Sequence, residues 1–115
     1  MGRLTTHILD TAHGHPAAGV LIELRRDPAQ RPVATTRSNA DGRCDKPLLE
    51  GAAFAAGEYE LMFYVGDYFR GLGVALSDPP FLDRILIRFG VAEANRHYHV
   101  PLLVSPWSYS TYRGS

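Results

Sequence analysis

Short stretches of alternating apolar and polar residues, separated by turn-forming residues, most limit how this chain can fold. In an extended backbone Val20, Ile22 and Leu24 point to one side and the residues between them to the other. The segment Asn39-Ala40-Asp41-Gly42 indicates a turn, and comparable signals recur roughly every 8–12 residues. No long helical pattern lies between the strands, which argues against a parallel α/β sheet. The sequence therefore predicts an all-β, antiparallel β-sandwich.

About eight strands and one short helix can be placed along the chain. The predicted strands are Leu4–Asp10, Val20–Arg26, Pro32–Arg37, Arg43–Leu48, Glu58–Val65, Leu82–Phe89, His97–Val104 and Ser108–Arg113. The helix is predicted over Gly66–Gly73, since Asp67 can cap its start and Gly71 or Gly73 its end. A turn is predicted over His13–Pro16.

Length, charge and cysteine content narrow the class of protein. The 115 residues are expected to form a single domain, residues 1–115. Twelve basic residues balance twelve acidic ones, so no basic excess points to a nucleic-acid partner. No apolar run approaches the roughly 20 residues of a membrane span. Cys44 is the only cysteine, so no disulfide can form within the chain. Because a signal-peptide pattern is also lacking, we expect a cytoplasmic protein.

Three histidines, one arginine and the C-terminal tail are the groups that could carry chemistry. His7 lies in the first predicted strand, and His97 and His99 share one face of a later strand. Arg43 follows a turn and could hold an anionic heterocycle or a developing oxyanion. The tail 112–115, at the end of the last predicted strand, brings together a phenol, a guanidinium, a hydroxyl and the terminal carboxylate. Each group also has an ordinary explanation as a solvated surface residue.

Metal and nucleophile chemistry have weaker support. His97 and His99, and likewise His13 and His15, have a spacing that can chelate zinc. The chain contains no cysteine cluster, no His-x-x-x-His and no carboxylate at ligand spacing. Cys44 could be a nucleophile in principle, but nothing in the sequence lowers its pKa, and a small buried residue is the simpler interpretation.

Several blocks of the sequence resemble one enzyme family over the whole chain. The opening residues 4–17, LTTHILDTAHGHPA, resemble the first strand and turn of 5-hydroxyisourate hydrolases, which are transthyretin-like proteins. The blocks NADGRC at 39–44, HYHVPLL at 97–103 and SPWSYSTYRGS at 105–115 resemble their later signatures. Transthyretin itself, a hormone carrier of the same fold, shares the SPWSYST run but lacks the Tyr-Arg-Gly-Ser ending.

The resemblance implies a fold, a reaction and a set of site residues. It implies a transthyretin-like (prealbumin-like) sandwich and a homotetramer, a dimer of dimers with sites in the channel between the dimers. The implied reaction is the metal-independent hydrolysis of 5-hydroxyisourate to 2-oxo-4-hydroxy-4-carboxy-5-ureidoimidazoline in urate degradation. Carried over by residue, the catalytic set is His7, Arg43, His99 and Ser115, and the substrate-binding set is His97, Tyr112, Arg113 and Gly114.

Three functions remain open at this point. The first is the hydrolase, with His7 or His99 as the base and either the hydroxyl or the carboxylate of Ser115 in use. The second is a non-catalytic carrier that binds an aromatic ligand in the same channel. The third is a zinc-dependent hydrolase built on the paired histidines.

Overall fold

Two β-sheets pack face to face around one apolar core. The structure is a computed structural model that describes residues 2–27 and 29–114. The strands are β1 (Arg3–Asp10), β2 (His15–Pro16), β3 (Leu21–Arg25), β4 (Ala34–Arg37), β5 (Leu49–Glu50), β6 (Gly57–Tyr64), β7 (Arg84–Val91), β8 (His97–Val104) and β9 (Tyr109–Thr111). A 3₁₀ turn, Gly51–Ala53, precedes β6, and the helix α1, Val65–Gly71, follows it.

The first sheet carries the histidines and the second sheet closes the core. The first has the order β2-β1-β8-β9, with β5 also paired to β1, and the second has the order β4-β3-β6-β7. β1 and β8 run parallel, which departs from the predicted antiparallel pairing, whereas every other pairing described between strands is antiparallel.

Strand alternation sets the two faces of the sandwich, as predicted. Leu4 and Ile8 of β1 are buried, while Thr5 and His7 between them are only half-buried. Tyr59, Leu61 and Phe63 of β6 are fully buried in the same core. The outer face of β1 is therefore the surface on which polar side chains can meet a ligand.

Two local predictions were wrong. The predicted strand Arg43–Leu48 is absent: Arg43 makes one isolated bridge to His7, and the pairing with β1 is made further on, by Leu49–Glu50. Pro47 lacks the N–H that a continuous ladder would need. His15–Pro16, predicted as a turn, adds a short strand to β1.

The helix begins one residue earlier than predicted and without the expected cap. Tyr64 precedes it and makes no side-chain capping bond, while Asp67 lies in the first turn and pairs with Arg70 at 3.0 Å. Gly73, with φ of +80°, follows the C-terminal cap, so the predicted glycine end is confirmed. Within the described residues, no helix has the length and apolar character needed to cross a membrane.

Candidate active site

The parallel pairing of β1 and β8 brings the first histidine strand beside the second. In this register Arg3 lies opposite His97 and Thr5 lies opposite His99. Side chains at paired positions of adjacent strands point to the same face, so these residues line one patch on the outer face of the first sheet. Sequence alone could place each strand's residues on a face but could not show that the two faces coincide.

A single hydroxyl joins the two histidines of β8. Thr5 Oγ1 lies 2.7 Å from His97 Nε2 and 2.8 Å from His99 Nδ1. A threonine hydroxyl has one proton to donate and two lone pairs that accept, so it can donate to at most one of the two rings. When it donates to one ring, the bonded nitrogen of the other ring must carry a proton, and Thr5 then couples the tautomers of His97 and His99.

The turn after β4 places Arg43 beside His7. Asn39 accepts bonds from the N–H groups of Asp41 and Arg43, and the Gly42 carbonyl accepts the N–H of Ile8 at 2.8 Å. Gly42 has φ of +76°, and a Cβ there would collide with the carbonyl oxygen of Ile8. Glycine at this turn is thus what allows the loop to lie directly on β1 and bridge Arg43 to His7.

Gly114 fixes the end of the described chain against His99. Its N–H donates to the His99 carbonyl at 2.8 Å, and the two residues form an isolated antiparallel bridge. A Cβ on Gly114 would lie 2.6 Å from Cδ2 of the His99 ring. The absence of a side chain at Gly114 therefore leaves room for the imidazole of His99.

Burial and positive neighbours lower the pKa of all three histidines. Burial is the largest cause for His7 and His99, followed by the charge of Arg43 in both cases. His97 and His7 add to the effect at His99, while the Asp41 carbonyl and carboxylate partly offset it at His7. Burial and then Arg3 lower the pKa of His97. The imidazoles are therefore held neutral near pH 7, the form in which a ring nitrogen can accept a proton.

His97 and His99 line a polar cleft of about 340 Å³. Arg3, Arg43 and Lys46 contribute its charged groups, and none of its described lining residues is a carboxylate. The remaining lining comes from Thr5, Thr6, Cys44, His97 and His99. A cationic rim around neutral imidazoles suits a small, polar or anionic ring.

The structure brings together only part of the predicted site. His7, Arg43, His97 and His99 meet on the outer face of the first sheet, and Gly114 abuts His99. Ser115, predicted to be catalytic, lies outside the described residues.

Two residues of the predicted substrate-binding set lie elsewhere in the single chain. Arg113 stacks its guanidinium over Tyr98, 4.1 Å from the ring centroid, and Tyr98 is buried on the core side of β8. Tyr112 is exposed and lines, with Arg113 and Phe89, a separate apolar cleft of about 350 Å³ between the edges of β7 and β9. Neither residue lines the histidine cleft.

Cys44 lines the cleft but is not a nucleophile. Burial, and then the charge of Asp45, raises the pKa of its thiol to about 11, so almost no thiolate exists near neutral pH. Sequence reasoning overlooked Thr5, Arg3 and Lys46 as members of the site. The only available signal for Thr5 was its i, i+2 position relative to His7, which does not specify a partner on another strand.

Comparisons with known proteins agree on one family. Residues 4–114 match the HIUase/Transthyretin family. The chain is 62% identical to the 5-hydroxyisourate hydrolase of Ralstonia nicotianae over the full length of both chains.

Solved structures give the same result. The 5-hydroxyisourate hydrolase of Klebsiella pneumoniae has a TM-score of 0.84 at 36% identity, with 100% of both chains covered. Transthyretin of the sea bream, in complex with thyroxine, has a TM-score of 0.85 at 30% identity, covering 97% of this chain and 94% of that one. A structure of (S)-allantoin synthase reaches 0.93 at 49% identity, covering 99% of this chain, which spans 44% of that longer chain.

Proposed function

The chain belongs to the HIUase/Transthyretin family, and on that premise we propose that it is an enzyme that hydrolyses 5-hydroxyisourate. The water oxygen bonds to the ring amide carbonyl, the C–N bond breaks, and the departing nitrogen takes a proton to give 2-oxo-4-hydroxy-4-carboxy-5-ureidoimidazoline. The observation that carries the proposal is the cleft in which Thr5 bridges two neutral histidines beside Arg43. The hydrolase relative at 62% identity supports the same reaction.

We assign the general base to His99. When Thr5 donates its proton to His97 Nε2, it must accept the Nδ1 proton of His99, and this leaves His99 Nε2 as a lone pair. Within the described residues Nε2 of His99 has no hydrogen-bond partner, so it can take a proton from the attacking water.

Thr5 also keeps His99 ready to return the proton. Protonation of Nε2 gives His99 a positive charge, and Thr5 Oγ1 still accepts the Nδ1 proton of this imidazolium. The Nε2 proton then goes to the departing ring nitrogen, and His99 becomes neutral again. His97 keeps the Thr5 hydroxyl oriented, because its Nε2 accepts the Thr5 proton.

Arg43 and His7 act on the substrate ring. The Arg43 guanidinium can donate to the carbonyl oxygen as it becomes an oxyanion, a type of contact worth about 10²–10³-fold in rate. His7 is paired across the backbone with Arg43, and its lowered pKa keeps it neutral, so it can orient the ring or the water. Ser115, at the end of the tail that Gly114 holds against His99, is assigned to positioning the water or a ring nitrogen.

The test is a direct assay of turnover. 5-Hydroxyisourate is generated from urate with urate oxidase, and its absorbance decay is followed with and without the protein. We expect a decay much faster than the spontaneous one, and a loss of about 10²–10⁴-fold in His99→Gln. His15→Gln, which changes an exposed histidine outside the cleft, serves as the matched control.

We further propose that the protein works as a homotetramer, a dimer of dimers. Thr5, His7 and Leu9 on the outer face of β1 are left half-exposed by the single chain, as a surface that faces a channel would be. β7 and β9 end the two sheets and border the apolar cleft at one edge, where a second copy could extend both sheets. Light scattering coupled to size exclusion should give four times the chain mass. We place the protein in the cytoplasm, since its one cysteine needs no oxidising compartment.

The second candidate function is a carrier. The similarity to a thyroxine-bound transthyretin favours it, but that relative is only 30% identical. The ionic rim and neutral histidines of the cleft suit proton transfer better than storage of a largely apolar ligand. A 5-hydroxyisourate decay no faster than the spontaneous rate would favour the carrier.

A further inference from the structure

A second group of titratable side chains lies at the far end of β1. Asp10 is the last residue of this strand, His13 lies in the turn that follows, and His15 begins β2. One potential ligand atom from each of the three lies within 4.8 Å of those of the other two. Gly14, with φ of +77°, reverses the chain between the histidines, so their rings stack at 5.7 Å between centroids and 21° between planes.

Hydrogen bonds fix the tautomers of both rings. His15 Nδ1 lies 2.8 Å from the Pro16 carbonyl oxygen, which can only accept, so the Nδ1 proton of His15 is donated there. His13 Nδ1 lies 2.6 Å from Asp10 Oδ2 and donates in the same way. In the neutral rings both Nε2 atoms are therefore lone pairs, the arrangement found in most metal-binding histidines.

Asp10 is held in place as a carboxylate. Its side chain is buried and accepts bonds from the Tyr68 hydroxyl at 2.8 Å and from the His13 N–H at 3.0 Å. A buried carboxylate that orients an exposed imidazole is the outer partner that zinc-binding histidines commonly have.

We propose that His13 and His15 bind one Zn²⁺ ion per chain through their Nε2 atoms, with Asp10 as the residue that positions His13. Imidazole nitrogen is a preferred zinc ligand, and water would complete a four-coordinate site. Both histidines are exposed, so an ion can reach them from solvent.

This site is separate from the proposed hydrolysis. Thr5 and Asp10 are five residues apart in one strand, roughly 17 Å at the usual rise. Their side chains also point to opposite faces, since Thr5 is on the outer face and Asp10 is buried. In the cleft, by contrast, His97 Nε2 and His99 Nδ1 are already bonded to Thr5. The ion would tie the end of β1 to the connection that follows it, and through Asp10 and Tyr68 to the helix.

Zinc titration of the intact protein tests the proposal. Isothermal calorimetry with Zn²⁺ alone should show one zinc equivalent bound per chain. His13→Gln and His15→Gln should each weaken the affinity for this ion by at least about tenfold. Zn²⁺ should raise the melting temperature of the unsubstituted protein, because it binds the folded chain, and this rise should be lost in both variants.

Matched variants of the other histidine pair locate the ion. His97→Gln and His99→Gln should keep the zinc equivalent that His13→Gln loses. The proposal is overturned if His13→Gln and His15→Gln bind zinc like the unsubstituted protein, or if the zinc equivalent disappears with His97 or His99 instead. It is also overturned if the protein binds no zinc. Hydrolysis of 5-hydroxyisourate does not enter these readouts, so failure of the zinc site and failure of the proposed function are distinguishable.

Discussion

Replacing Thr5 by valine removes a hydroxyl and keeps the shape of the side chain. The two hydrogen bonds lost, at 2.7 and 2.8 Å, are ordinary in length and join Thr5 to two partly buried imidazoles. At about 0.5–1.5 kcal/mol for each bond, the pair is worth about 1–3 kcal/mol. If the transition state feels this loss in full, kcat/KM falls roughly 5- to 150-fold.

The assay combines kinetics with a direct view of the tautomers. In Thr5→Val we expect the loss mainly in kcat, because the substrate still meets Arg43 and His7 but the base is no longer held in one protonation pattern. Nitrogen-15 shifts of the imidazoles should show one tautomer for His99 in the unsubstituted protein and a mixture in Thr5→Val. Thr5→Ser keeps the hydroxyl and should restore both the rate and the single tautomer.

Two results would refute the reasoning. Unchanged kcat/KM in Thr5→Val would show that the bridge has no role in turnover. Equal losses in Thr5→Val and Thr5→Ser would show that packing, not the hydroxyl, is what matters. Size exclusion and circular dichroism of each variant establish that the assembly and the fold are retained.

Three further predictions concern Gly114 in the C-terminal tail, the pH dependence of kcat/KM, and Tyr68 of helix α1. Gly114→Ala should lower kcat/KM by more than about tenfold with little change in the free energy of unfolding. The reason is that a Cβ 2.6 Å from Cδ2 of His99 must displace either the ring or the tail. A fully active variant would contradict this. In the unsubstituted enzyme kcat/KM should fall, on the acid side, at a pH below 6.5. Arg43→Gln should shift this fall to higher pH, because the Arg43 charge lowers the pKa of His99. A fall at unchanged pH in the variant would exclude this electrostatic role. Tyr68→Phe should cost about 1.5–3 kcal/mol of unfolding free energy, measured in urea above pH 6, because a buried Asp10 carboxylate loses a 2.8 Å bond.

The pH dependence of the free energy of unfolding follows from the pKa values of Asp10 and of the three histidines at the candidate site. Since the native pKa of Asp10 is lowered, its contribution is present above the unfolded pKa near 3.9 and is lost as pH falls through the native value. The histidines of the cleft also have lowered pKa values, so the unfolded chain takes up protons first as pH falls below about 6.5. Stability should therefore decrease from that pH downward, and His99→Gln should remove part of the decrease.

The amino-acid sequence determined the local features of this protein. Alternation placed His7 and Thr5 on one face of β1 and His97 and His99 on one face of β8, because successive side chains of a strand point to opposite sides. The glycine at position 42 could be assigned to a turn for the same kind of reason, since few other residues adopt its positive φ.

Tertiary structure decided which of these faces meet. β1 and β8 are separated by more than eighty residues, and their parallel register, with Thr5 opposite His99, depends on how the whole sandwich closes. The same closure turned Arg113 toward Tyr98 and away from the cleft. Secondary-structure propensity and residue spacing act over a few neighbouring residues. The hydrogen bonds that join the Thr5 hydroxyl to two imidazoles form only because two strands distant in sequence lie side by side in one sheet.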